Sequence, residues 1–67
     1  MKTQLTRLCA MTNANACPVI SVDDNAIPTQ VVEISDDFGG QARMSREQLG
    51  VFVREAKSGK FDSALQA

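Results

Sequence analysis

The chain has 67 residues, seven basic and eight acidic side chains and a formal net charge of −1, so it makes one domain with no global attraction to nucleic acid or to an anionic membrane. It has no Trp, Tyr or His and only three Phe, which excludes every catalytic set built on histidine and leaves the core to Val, Ile, Leu, Met and three rings. No run approaches the roughly 18 apolar residues that span a bilayer.

Residues 1–16 place Leu5, Leu8 and Cys9 at helical spacing, but short isolated helices are marginal in water, so this stretch is expected to be a flexible arm ending in a linker over 12–16. MKTQLTRLCAMTNANAC has the outline of a lipoprotein leader, yet Thr3, Gln4, Thr6 and Arg7 interrupt any apolar segment; Met11 offers an alternative start. We expect a cytoplasmic protein. Cys9 and Cys17 are too few for a disulfide framework, and without His they make an incomplete zinc site. In a reducing compartment they are expected as reduced, structural thiols.

The domain proper is expected over 17–62. In Cys17–Asp23, Pro18, Ile20 and Val22 alternate with Cys17, Val19, Ser21 and Asp23, the period of a strand, and Pro18 suits its first position or an edge. Asp24 and Asn25 mark a turn closed by Pro28. Thr29–Ser35 is β-branched and alternates Gln30, Val32 and Ile34 against Val31, Glu33 and Ser35; the short connection permits only an antiparallel neighbour. DDFGG at 36–40 carries the strongest turn chemistry in the chain, and 41–44 fits a third strand. Asp37-Phe38-Gly39 matches a kinase tripeptide by chance, because the rest of that machinery cannot fit in this length.

Ser45 followed by Gln48 reads as a capping box, so a helix starts at Arg46. Leu49, Phe52, Val53 and Ala56 fall at i, i+3, i+4 and i+7, an apolar stripe expected to be the core face. Lys57 suits the last turn, Gly59 supplies a left-handed stop, and Phe61 is placed to cover the end of the stripe. Residues 63–67 form a tail. The expected fold is α+β, a small antiparallel three-stranded sheet packed against one C-terminal helix, with Cys17, Val32, Ile34, Leu49, Phe52, Val53, Ala56 and Phe61 as structural residues and Ser45 and Gly59 as the helix boundaries.

Cys17 with its apolar strand, Val31-Val32-Glu33-Ile34-Ser35-Asp36, a glycine-containing turn, Arg43-Met44-Ser45-Arg46-Glu47-Gln48-Leu49, Phe52, and Ala56-Lys57-Ser58-Gly59-Lys60-Phe61-Asp62 together resemble the small actinobacterial proteins called domain of unknown function 397. The resemblance covers roughly residues 17–62, and its most specific part is Lys-Ser-Gly-Lys-Phe-Asp, which is similar to that family's closing Lys-Ala-Gly-Glu-Phe-Asp. Leu49 stands where the family usually has Trp, and the family's N-terminal Trp and Tyr are missing. The resemblance implies a helix-turn-helix transcription regulator as partner, a role in development or in a toxin-antitoxin-like pair, and no enzymatic residue.

The expected function is therefore a non-catalytic protein-interaction module without cofactor, metal or direct nucleic-acid contact, with self-association as a further contact that would help so small a domain. Arg46, Gly50, Arg54 and Lys57 recur along one solvent-facing side of the helix and are the candidate interaction residues. Gly50 costs a helix interior about 1 kcal/mol relative to Ala, and between cations it would let a partner approach closely. The alternative is a thiol- or metal-responsive sensor that uses Cys9 and Cys17, or Asp23, Asp24, Asp36 and Asp37 should the two turns meet.

Overall fold

A computed structural model describes residues 1–9 and 16–65. Among the described residues, four strands and one α-helix occur in chain order: β1 (Lys2–Arg7), β2 (Val19–Asp23), β3 (Val32–Ser35), β4 (Gln41–Met44) and α1 (Arg46–Lys57). The strands form one antiparallel sheet in the order β1-β2-β3-β4. The fold is α+β, as expected, but the sheet has four strands, not three.

The added strand is β1, from the segment expected to be a flexible arm. Leu5, Leu8 and Cys9 do suit a helical turn, but the open edge of β2 offers Thr3, Gln4, Thr6 and Arg7 the backbone partners of an antiparallel ladder, and the ladder prevails. Gln4 opposes Ser21 and Thr6 opposes Ile20, leaving Leu5 as the extra residue of a bulge. The ladder is prolonged by a bond from the Leu8 N–H to the Pro18 carbonyl, 2.8 Å. The expected linker over 12–16 and the alternative start at Met11 fall almost entirely outside the described residues.

Thr29–Ser35 is not one strand. Pro28 opens a single 3-10 turn over Pro28–Gln30, where its fixed φ is already suitable and its missing N–H costs nothing. The strand then starts at Val32. In the β3–β4 turn one Asp36 carboxylate oxygen accepts from the N–H groups of Phe38 and Gly40, both at 2.8 Å. Gly39 takes φ +88°, and a Cβ at Gly40 would stand 2.7 Å from the Asp36 carboxylate. Both glycines of DDFGG are thus required, for different reasons.

The cap of α1 forms as its sequence demands. Ser45 Oγ accepts from the Gln48 N–H at 3.1 Å, and Gln48 Oε1 accepts from the Ser45 N–H at 2.9 Å. At the other end Gly59 has φ +92°, and the N–H groups of Gly59 and Lys60 donate to the carbonyls of Ala56 and Glu55.

Strand register separates two faces. Ile20, Val22, Val32, Ile34, Ala42 and Met44 share one, while Gln4, Ser21, Glu33 and Arg43 make a row across the other. The buried apolar residues among those described are Cys17, Val31 and Val32. The helix stripe is not among them: Phe52, Val53 and Phe61 remain 43%, 42% and 41% exposed, Leu49 is intermediate and Ala56 is exposed. The stripe expected to be the core face exists by spacing, but the sheet does not enclose it. The Phe52 and Phe61 rings cover each other instead, their centroids 5.3 Å apart.

Candidate functional site

Arg46, Gly50, Arg54 and Lys57 are all exposed on α1. Arg46 is anchored, its guanidinium 3.2 Å from the Asp24 carboxylate, which ties the first turn of the helix to the end of β2. Arg54 and Lys57 join no ion pair among the described residues, and a Cβ built on Gly50 would meet nothing within 4 Å. The glycine therefore leaves open backbone between two guanidinium groups, a place where another molecule can approach closely. By helical spacing Arg46 and Lys57 border the apolar stripe on one side, and Gln48 and Glu55 border it on the other. Glu55 is paired with Lys60 at 2.5 Å.

The two cysteines are not reduced thiols. Cys9 and Cys17 form a disulfide with their Cα atoms 4.7 Å apart. Arg7 opposes Val19, so continuing the antiparallel count sets Cys9 directly across from Cys17. The bond closes the ladder two residues beyond the last strand pair. Cys9 is exposed while Cys17 is buried, and the Cys17 N–H donates to the Asp37 carboxylate at 3.0 Å. The expectation of free thiols rested on compartment alone and took no account of register.

The turn aspartates do not meet. Asp23 and Asp24 follow the end of β2, Asp36 and Asp37 follow the end of β3, and because these strands are antiparallel their C-terminal ends lie at opposite ends of the sheet. Their oxygens are also engaged: Asp23 caps Asn25, Asp24 holds Arg46, Asp36 binds its own turn and Asp37 holds Cys17. Among the described residues no cluster of three or more His, Cys, Asp or Glu side chains could hold a metal ion.

One constellation escaped the sequence reading. Glu33 is buried on the polar face of the sheet, with Lys2 Nζ at 2.7 Å and Arg43 Nε at 3.5 Å. Ser21, its cross-strand neighbour, is also buried. Register sets Arg43 beside Glu33 and Gln4 in line with it across β2, and Lys2, opposite Asp23 on the same face, reaches Glu33 diagonally. Without β1, Lys2 has no place. On the apolar face, Pro18, Ile34 and Ala42, together with Asp36 and Gln41, line a shallow groove of roughly 350 Å³. That is at the low end for ligand sites, and the groove lacks the convergent polar groups a small molecule needs.

These features define a small α+β domain in which a clipped four-stranded meander presents a capped amphipathic helix. Comparison with protein-family models, with curated proteins and with solved structures returned no match. No helix among the described residues is long and apolar enough to cross a membrane.

Proposed function

We propose that the protein is a non-catalytic interaction module that acts in the cytoplasm by binding a helix-turn-helix DNA-binding regulator, as a distant member of the domain of unknown function 397 family. The observation that carries this reading is the bare backbone at Gly50 between Arg46 and Arg54, on a helix whose cap and stop are fully built while its surface is left open. A glycine that costs helix stability at an exposed position is explained if a partner's backbone or an acidic surface occupies the space above it. Regulation is then exerted through the regulator's availability.

Co-purification of the full chain with helix-turn-helix regulators encoded beside it tests the proposal. A stable complex that Gly50→Ala weakens, while the helix itself becomes more stable, supports it. Unchanged binding by Gly50→Ala removes the helix face from the contact.

The disulfide favours a second reading, a thiol-responsive protein. In a reducing compartment a disulfide is usually transient and redox-sensing, and here the exposed Cys9 is the sulfur accessible to an attacking thiolate. Mass measurement of protein alkylated inside intact cells, before and after peroxide, distinguishes the two: a thiol pair that stays closed or stays open throughout removes the sensing role.

A further inference from the structure

We propose that the apolar stripe of α1 docks into the Pro18–Ile34–Ala42 groove of a second copy of this chain, so that two copies close around a two-fold axis with each helix on the other's sheet. Two observations stand behind it, and neither depends on the regulator proposed above. First, the chain carries two uncovered apolar surfaces. Phe52, Val53 and Phe61 stay more than 40% exposed on the helix, and the groove on the apolar face of the sheet is lined by no residue of α1. With Cys17, Val31 and Val32 as its buried apolar residues among those described, the single chain encloses little core. Its radius of gyration of 13.1 Å exceeds the about 11 Å expected of a compact chain of this length. Chains this small commonly complete their core by association.

Second, the two surfaces are complementary in charge as well as polarity. Lys57 borders the apolar stripe and Arg54 follows it, both without an ion pair among the described residues. Asp36 is among the residues that line the groove. A second copy therefore brings an apolar stripe with a cation along one edge to an apolar groove with the Asp36 carboxylate in its lining. Because each chain owns one of each, a two-fold arrangement satisfies both pairs at once and leaves nothing exposed for a third copy.

Sedimentation of the full chain over a range of concentrations, with the disulfide intact, is expected to show a monomer–dimer equilibrium. Phe52→Glu should weaken it by roughly 30-fold or more, the loss typical of a central apolar contact. Lys57→Glu should weaken it less, with circular dichroism unchanged in both variants. Should Phe52→Glu unfold the chain, the second measurement decides: zero-length carbodiimide coupling in a mixture of ¹⁵N-labelled and unlabelled protein. Mixed-isotope links between Lys57 and Asp36 are expected. A monomer at every concentration, a chain that pairs only with a different protein, a dimer indifferent to Phe52→Glu, or links confined to one isotope each overturn the proposal.

Discussion

Lys2 Nζ lies 2.7 Å from Glu33 Oε2, although the two residues belong to β1 and β3 and a whole strand runs between them. The Glu33 side chain is only 10% exposed, and Arg43 on β4 approaches its other oxygen at 3.5 Å. One carboxylate thus connects strands from both edges of the sheet.

Glu33→Ala removes the partner of two cations, but those cations are half exposed and return readily to water. The expected loss is about 1–2 kcal/mol, between the values for an exposed and a buried charge-assisted bond. Urea unfolding measures it, and Lys2→Ala in the Glu33→Ala background should then cost almost nothing further.

Reduction of the Cys9–Cys17 bond, or its replacement by two serines, frees the eight-residue sequence separation it closes. Loop-closure entropy for a span of that length is about 2–3 kcal/mol. A lower melting temperature under dithiothreitol is therefore expected, with hydrogen exchange in β1 accelerating before that in β3. Identical melting with and without reductant would show that the clip adds no stability.

Two glycines with opposite roles give opposite results on mutation. Gly50 sits in regular helix with open space where a Cβ would go, so Gly50→Ala should stabilise by up to about 1 kcal/mol. Gly59, at φ +92° with the Asp62 carboxylate 3.1 Å from a built Cβ, should lose about 1 kcal/mol on the same change. Thermal melts of the two variants beside the wild type read both signs in one experiment.

Ser45→Ala removes the acceptor of the Gln48 N–H and leaves the reciprocal bond, from the residue-45 N–H to Gln48 Oε1, without its companion. A cost of about 1 kcal/mol is expected. Helical ellipticity should fall while the sheet, whose ladders do not involve the cap, keeps its amide protection.

Features that depend on near neighbours in the chain were legible in advance. Ser45 and Gln48 define the start of α1, Gly59 its end, and Asp36, Gly39 and Gly40 the β3–β4 turn, because each is a contact between groups a few residues apart. The alternation in β2 and β3 likewise follows from the two-residue period of a strand. The opposite placement of the aspartate pairs was also implicit in an antiparallel hairpin.

Tertiary structure alone decided what lies across from what. That 2–7 joins the sheet follows from the unpaired edge of β2, an opportunity that no local spacing in KTQLTR announces. The Cys9–Cys17 bond then follows from register, and the contact of Glu33 with Arg43 beside it and Lys2 diagonally across β2 needs every strand in place. The same is true of the helix stripe. Its periodicity guarantees that Leu49, Phe52, Val53 and Ala56 share a side, but whether that side is covered depends on where α1 lies relative to the sheet, and side-chain spacing within one helix carries no information about its distance from another element.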